Sequence, residues 1–147
     1  TGKYYSQSIS EALEKSEAVP NLKVMDFIGC MDYAYAAADL VVSRAGASSI
    51  SELCLLGKPC VLVPSPNVAE DHQTQNALAL SSKDAAIFVA DKEAKEKLVQ
   101  TALETVTNDE RLLSLSENVK KLAFLNSSDI IAEEVYKLAV EYKKRNN

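Results

Sequence analysis

The stretch DLVVSRAGASSISELCLLGKPCVLV, residues 39–63, places a helical pattern between two short apolar runs. The runs 39–43 and 59–63 have the length and continuous hydrophobicity of strands that are buried on both faces. The helical pattern covers 48–56 and is followed by Gly57, a residue typical of helix C-caps. A strand, a helix and a second strand at this spacing predict a βαβ unit with parallel strands.

The flanking sequence continues the same alternation. The elements predicted there are strands at 22–27 and 85–89, helices at 6–18, 31–38 and 69–82, and two or three further helices over 92–145. The sequence therefore predicts a Rossmann-like α/β domain with a parallel sheet and helices on both faces. Ligands of such sheets bind beyond the carboxyl ends of the strands. The candidate loops are those after Phe27, Ser43, Val63 and Val89.

The composition is that of one ordinary globular domain. The chain has 147 residues, of which 47% are hydrophobic and 25% charged, and these values argue against disorder. The formal net charge of −5 argues against a broad surface for nucleic acid or anionic lipid. No apolar run approaches the roughly 18 residues of a membrane span, and the first residues lack the apolar core of a secretion signal.

The cysteine and histidine content argues against a metal site. The three cysteines are Cys30, Cys54 and Cys60, without a Cys-x-x-Cys pair, and the sequence holds one histidine. No zinc site of the usual spacing is predicted from these residues. The pattern indicates a reducing cytoplasm, with Cys54 and Cys60 as small buried hydrophobic residues. Because the chain starts with threonine in the approach to a helix, we expect it to be a piece of a longer protein.

The loop Ser43–Ser49 joins a predicted buried strand to a helix N-terminus. Its small residues let a ligand approach the backbone closely. The free N–H groups and the positive end of the helix dipole favour a phosphate there. The loop matches neither a Walker motif nor GxGxxG, and a tight turn that binds no ligand also fits it.

Glu52 has two interpretations. The segment Ser49-Ile50-Ser51-Glu52 has the pattern of a capping box, in which Ser49 is the N-cap and Glu52 reaches back to its amide. A carboxylate in the first turn of this helix also suits the two hydroxyls of a ribose, a role that an acid has in dinucleotide-binding folds. The residues alone leave both interpretations open.

The helix predicted at 69–82 begins with polar side chains. Gln73 and Asn76 share a helix face with apolar residues, so this face is expected to point toward the sheet and its cleft. Amide groups in that place suit sugar hydroxyls, although polar caps at a helix start give the same pattern. His72 has no serine or cysteine nucleophile pattern nearby, which argues against a catalytic triad.

Two apolar features also have two interpretations. Phe27 either packs in the core or forms the wall of a base pocket with the backbone of Ile28. The last helical segment carries an apolar stripe that either packs in the core or forms a partner surface, and it consists of Ile131, Val135, Leu138 and Tyr142.

Three segments together resemble one family. They are DFIGCM at 26–31, AAADLVVSRAGASSISELCLLGKPCVLVPSP at 36–66 and EDHQTQNALAL at 70–80. This combination is similar to the C-terminal domain of the MurG family, the UDP-N-acetylglucosamine:N-acetylmuramyl-(pentapeptide) pyrophosphoryl-undecaprenol N-acetylglucosaminyltransferases of peptidoglycan synthesis. The resemblance covers nearly the whole chain and is strongest from Val24 to Leu80.

The resemblance implies the C-terminal half of a GT-B fold, in which two Rossmann-like domains face each other across a cleft. Residues 1–147 correspond to the UDP-sugar-binding domain without its first strand and glycine loop, and the acceptor domain is absent. The resemblance assigns donor contacts to Phe27, Ile28 and Met31 at the uracil, Arg44, Gly46, Ala47, Ser48 and Ser49 at the diphosphate, Glu52 at the ribose, and His72, Gln73 and Asn76 at the N-acetylglucosamine.

The implied activity is an inverting transfer, in which the 4-hydroxyl of the acceptor attacks the anomeric carbon and UDP leaves. No metal and no cofactor are expected. The implied partners are UDP-N-acetylglucosamine and, through the absent domain, a lipid-linked muramyl-pentapeptide; no nucleic acid is expected. The catalytic base is expected in the absent domain, so this piece alone is expected to be inactive. The implied location is the cytoplasm, with the full-length protein peripheral on the cytoplasmic face of the inner membrane.

Other functions also fit the sequence. One is the donor-binding subunit of another GT-B transferase that uses a UDP-sugar, for dolichol-linked chitobiose or for a glycolipid. Another is a non-catalytic module that binds a nucleotide or a protein. A sheet edge left open by a missing strand, or the stripe Ile131–Tyr142, predicts that the piece associates with itself.

Overall fold

The computed structural model describes residues 9, 11–13, 21–66 and 71–146. The chain forms two compact units, Thr1–Ala38 and Asp39–Asn147. The described helices are α1 (Met31–Ala37), α2 (Ala47–Leu56), α3 (His72–Ser81), α4 (Asp91–Val106), α5 (Asp109–Lys120) and α6 (Ser127–Arg145), and the described strands are β1 (Val41–Ser43), β2 (Cys60–Leu62) and β3 (Ile87–Phe88).

The first unit contains α1, whose Tyr35 is buried. Residues 22–27 are exposed and irregular, so the prediction of a strand there is wrong. Alternating apolar residues form a strand only when a neighbouring segment completes the hydrogen-bond ladder, and no described segment pairs with them. The helix predicted at 6–18 lies largely outside the described residues, of which 9 and 11–13 are helical.

The second unit contains a parallel sheet in the order β1-β2-β3. Val42 lies opposite Val61, and Leu62 lies opposite Phe88. Helix α2 connects β1 to β2, and α3 lies between β2 and β3 in the chain. The predicted βαβ organisation is therefore confirmed. The prediction that the run 39–43 is buried on both faces is wrong, because β1 is an outer strand of the described sheet and Val42 is 47% exposed.

The central strand β2 is buried along its whole length. On one face Val61 packs with Val63 and Val89, and Leu98 of α4 covers them. The side chains of Cys60 and Leu62 point to the opposite face because neighbouring residues of a strand alternate, and both are fully buried. Helices α2 and α3 contact each other, and α3 contacts β3. The predicted sheet with helices on both faces is confirmed.

Helix α2 ends at Gly57, which adopts a left-handed conformation with φ 63°. The N–H of Lys58 donates to the carbonyl of Leu53 over 3.0 Å, which completes the predicted glycine C-cap. The Oγ of Ser116 in α5 donates to the carbonyl of Gly57 over 2.7 Å. The end of α2 is thereby joined to α5.

Cys54 and Cys60 are buried, as predicted. Burial raises the pKa of the Cys60 thiol to about 12, with a smaller contribution from Cys54. Among the described helices, none is both long and apolar enough to cross a bilayer.

Helix α6 has no buried residue, so the core-packing interpretation of its apolar stripe is wrong. Packing would require another element to cover the stripe, and its side chains are exposed in the described chain: Ile131, Val135, Leu138 and Tyr142.

Candidate functional site

Helix α2 begins with uncapped backbone amides. Gly46 is its N-cap, with φ −69° and ψ 147°, and no described side chain caps the helix. The first helical bond runs from the N–H of Ile50 to the carbonyl of Gly46 over 3.0 Å. The N–H groups of Ala47, Ser48 and Ser49 therefore have no acceptor within the helix. Together with the helix dipole, they form a favourable place for an anion.

This helix start contradicts the capping box predicted at 49–52. The N-cap is Gly46 rather than Ser49, because the helix already includes the two residues before Ser49. A capping acid stands three residues after the N-cap, so Glu52 is one turn too far along the helix. Glu52 is exposed and shares a helix face with Ser48 and Ser49 by its i+4 and i+3 spacing. Its ribose role stays a prediction.

The described structure does not itself require glycine at position 46. Its φ of −69° is open to any residue. A Cβ built there would meet only the Oγ of Ser49, at 4.0 Å. Glycine instead keeps the space in front of the uncapped amides open, which suits a ligand that approaches the backbone closely.

Two amide side chains of α3 bind the backbone of neighbouring loops. The Nδ2 of Asn76 donates to the carbonyl of Ala45 over 3.1 Å, and the Oε1 of Gln73 accepts from the N–H of Ser65 over 2.9 Å. These partners fix the orientation of both amides, because a carbonyl only accepts and an N–H only donates. Within the described chain, the atoms left for a ligand are Nε2 of Gln73 and Oδ1 of Asn76.

Helix α3 begins at His72, later than the helix predicted from residue 69, and residues 67–70 lie outside the described chain. Its N-cap Asp71 has a left-handed conformation with φ 54°. His72 is exposed and stands directly before Gln73. The expected sugar contact of His72 stays a prediction.

Arg44 binds the loop after β2 and the start of α4. Its Nη1 donates to the carbonyl of Val63 over 3.2 Å and to the carbonyl of Pro64 over 3.0 Å. The same nitrogen forms an ion pair with the carboxylate of Asp91. These are backbone and acid contacts within the protein, and the expected contact of Arg44 with a diphosphate stays a prediction.

The sequence does not single out Asp91 as a site residue. It is the first residue of α4, directly after the loop that follows β3. The sequence predicts that loop as a candidate because it lies at the carboxyl edge of the sheet. An acid at the N-terminus of the following helix is the feature of the sequence that could have pointed to Asp91. Its pairing with Arg44, 47 residues earlier in the sequence, depends on the tertiary fold.

Phe27, Ile28 and Met31 come together in the first unit. They line one hollow of about 480 Å³ with the residues at 23–26. Phe27 is 83% exposed, so its interpretation as a core residue is wrong. The strand that would have directed it into a core does not form. Its role in a base pocket stays a prediction.

The second unit thus collects an anion site, two oriented amides and a carboxylate on the loops and helices around the carboxyl edge of its sheet. This arrangement can hold a phosphate and hydroxyl groups. In the described ranges, no group of three or more His, Cys, Asp or Glu side chains forms a metal site.

A parallel sheet with such groups beyond its carboxyl edge defines the Rossmann-like class of nucleotide-binding domains. The family model described as the glycosyltransferase family 28 C-terminal domain matches residues 1–133. The chain belongs to this family, and its α/β fold is that of a GT-B C-terminal domain.

The chain is similar to two relatives named UDP-N-acetylglucosamine–N-acetylmuramyl-(pentapeptide) pyrophosphoryl-undecaprenol N-acetylglucosamine transferase. The relative from Bacteroides fragilis is 62% identical over 139 residues, which cover 95% of this chain and 37% of that protein. The relative from Bacteroides thetaiotaomicron is 63% identical, with 95% and 37% covered. The chain therefore spans little more than a third of the length of these relatives.

A solved structure has the same fold. The crystal structure of Acinetobacter baumannii MurG matches with a TM-score of 0.80 and 26% identity, over 92% of this chain and 41% of that one.

Proposed function

We propose that this chain binds UDP-N-acetylglucosamine as the donor domain of a transferase that converts the lipid-linked muramyl-pentapeptide of peptidoglycan synthesis to its N-acetylglucosaminyl form. The observation that carries this proposal is the 62% identity to the Bacteroides fragilis relative over 95% of the chain, because the name of that relative states this donor and this acceptor. The high identity favours this function over synthesis of dolichol-linked chitobiose or of a glycolipid.

The uncapped start of α2 supports a diphosphate site. The amides of Ala47, Ser48 and Ser49 and the helix dipole are suited to its negative charge. Glu52 lies on the same helix face, about one turn further from the N-terminus, and its carboxylate is suited to the ribose hydroxyls.

The oriented amides support a sugar site. On this proposal, Nε2 of Gln73 donates to a sugar hydroxyl oxygen and Oδ1 of Asn76 accepts from a sugar hydroxyl. Both amides are bonded to backbone, so each meets the sugar with its geometry already set. Such preorganisation lowers the entropy that binding must offset.

The transfer itself needs an acceptor hydroxyl that attacks the anomeric carbon while the bond to the diphosphate breaks. Negative charge then grows on the leaving UDP. Helix α2 stabilises that charge with backbone dipoles that are already in place. The group that removes the proton from the acceptor hydroxyl is proposed to lie outside this chain. We place the reaction on the cytoplasmic face of the membrane, because the acceptor is lipid-linked and the donor is a nucleotide sugar.

Donor binding is tested by calorimetric titration of the chain with UDP, UDP-N-acetylglucosamine and UDP-glucose. Loss of the hydrogen bonds to Glu52 in Glu52→Ala is expected to weaken UDP binding by about tenfold or more. Glu96→Ala is the matched control, because Glu96 is an exposed glutamate of α4 and its loss removes the same charge. A folded chain that binds none of these nucleotides contradicts the proposal.

Acceptor use is tested with a chimera in which this chain replaces the matching 37% of the Bacteroides fragilis relative. Radiolabelled N-acetylglucosamine is expected to appear on the lipid-linked muramyl-pentapeptide, and the Glu52→Ala chimera is expected to transfer far less. A folded chimera that binds UDP without transferring the sugar would instead favour the non-catalytic binding module.

A further inference from the structure

Arg44 connects three loops that enter the proposed diphosphate site from different parts of the sequence. It stands two residues before Gly46, at the end of β1. Its Nη1 donates to the carbonyls of Val63 and Pro64, after β2. Asp91, after β3, holds the same nitrogen through an ion pair. All three strands of the described sheet are therefore connected, just beyond their carboxyl ends, by one guanidinium group.

We propose that Arg44 and Asp91 form a positioning pair for the diphosphate site, and that Arg44 acts through the loops rather than by touching the diphosphate. This inference rests on the proposed function, which supplies the ligand. Asp91 holds the guanidinium against the two carbonyls, and the guanidinium holds the turn before α2 at a fixed distance from the loop after β2. The amides of α2 and the Gln73 contact with Ser65 then keep their relative geometry.

The hydrogen-bond count supports this role. Nη1 of Arg44 carries two protons and already has three acceptors within the protein. A charge-assisted bond to Asp91 is stronger than a neutral one, so it fixes the orientation of the whole group. A diphosphate could bind Nη1 only by displacing these contacts, whereas the three N–H groups on Nη2 and Nε are not used by them.

Positioning and direct contact predict opposite effects for Asp91→Asn. If Asp91 positions Arg44, the loss of its charge loosens the loops and weakens UDP binding, by about three- to tenfold. If Arg44 contacts the diphosphate, the same change frees the guanidinium and removes a negative charge from its side, so UDP binding stays the same or becomes tighter.

The experiment is a calorimetric titration of the chain with UDP for the wild type, Asp91→Asn, Arg44→Met and the double variant. The matched control is Glu93→Gln, which removes the same charge from the first turn of α4, where Glu93 pairs only with Lys97 among the described residues. Hydrogen exchange without UDP gives a second readout at the amide of Ser65. We expect Asp91→Asn to speed this exchange, and the double variant to bind no more weakly than the weaker single variant.

The outcomes separate the two proposals. If the wild type binds UDP and Asp91→Asn binds it equally well or more tightly, the positioning pair is overturned and the proposed function stands. Additive losses in the double variant, or an equal loss in Glu93→Gln, also overturn it. A folded wild-type chain that does not bind UDP overturns the proposed function and this inference with it.

Discussion

At the scale of single residues, Gly46 is a position where the fold accepts a side chain but ligand binding favours glycine. Its backbone conformation and its surroundings accept a side chain, yet a side chain would stand in front of the amides that start α2. Such a residue can be tested by a substitution that stabilises the helix and weakens ligand binding.

Gly46→Ser is expected to stabilise the chain and weaken nucleotide binding. Serine is a preferred N-cap residue, and its hydroxyl can accept from the N–H of Ser49, so the free energy of unfolding should rise by about 0.3 kcal/mol. The same hydroxyl competes with the diphosphate, so UDP binding should weaken by roughly tenfold. Urea unfolding and calorimetry measure the two effects. Uridine is the control ligand because it lacks the diphosphate, and unchanged affinity for UDP would refute the assignment.

The two amides of α3 should respond differently to conversion into acids. Gln73→Glu keeps the oxygen that accepts from Ser65, whereas Asn76→Asp loses the donor to the carbonyl of Ala45. Asn76→Asp should therefore lower the free energy of unfolding by about 1–3 kcal/mol, and Gln73→Glu should leave it nearly unchanged. Gln73→Glu should weaken binding of UDP-N-acetylglucosamine more than binding of UDP. Equal stability of the two variants in urea would show that the amide orientations are wrong.

At the scale of elements, the turn between α3 and β3 is joined to α5. Asp84 in this turn has a left-handed backbone with φ 52°. Its carboxylate accepts from Arg111 over 2.6 Å, and Asn118 donates to its carbonyl over 3.2 Å. The hydrogen bond from Arg111 holds the pKa of Asp84 below its ordinary value.

The Asp84 contact should make stability depend on pH. Because the folded pKa lies below the unfolded one, the contribution is complete above the unfolded value of about 3.9 and is lost as pH falls through the folded value. Asp84→Asn keeps the left-handed backbone and removes the charge. At neutral pH it should lower the free energy of unfolding by at most about 1 kcal/mol, since the pair is largely exposed.

Urea unfolding at neutral pH and near pH 2.5, below the unfolded pKa of about 3.9, measures this difference. The gap between wild type and Asp84→Asn should shrink at the lower pH. Glu134→Gln is the control, because Glu134 pairs with Lys137 inside a single helix. A gap of the same size at both pH values would contradict the assigned role.

At the scale of the whole molecule, the apolar stripe of α6 predicts self-association. Its side chains are exposed, and exposed apolar stripes favour contact with another surface. The sedimentation coefficient should rise with concentration, and Leu138→Ser should reduce this rise. Glu133→Ser, on the opposite side of α6, should not. A wild-type chain that stays monomeric over the whole concentration series would contradict this prediction.

The sequence predicts those parts of the fold that depend on local pattern. The strands around Val42 and Val61 and the C-cap at Gly57 follow from hydrophobicity and backbone preference, and the structure has all three. The predicted burial is confirmed for Val61 and wrong for Val42, because burial of an outer strand depends on what covers it. Residues 22–27 carry the alternation of a strand but lack a ladder partner, which local pattern does not reveal. The Ser49–Glu52 pattern fits a capping box, yet the helix starts earlier because Gly46 can begin it without a cap.

The candidate site is predictable to a similar extent. The family resemblance names its residues, and the structure collects those of the second unit around the ends of its strands. The orientation of Gln73 and Asn76 and the partner of Arg44 depend on contacts across the fold, between 8 and 47 residues apart in sequence. Contacts at such separations leave no periodic signal in the sequence.

Four hydrogen bonds around the site end on backbone atoms: Arg44 donates to two carbonyls, Asn76 donates to a third, and Gln73 accepts from an N–H. Every residue except proline offers both of these groups, and proline still offers the carbonyl. Changing the side chain of a residue that receives one of these bonds therefore leaves the backbone partner of the bond in place. Packing still restricts such a change at three of the four receiving residues, because Ala45, Val63 and Pro64 are buried. Ser65 is only partly buried, so it is the receiving position that a redesign of the loops can vary while Arg44, Gln73 and Asn76 keep their bonds.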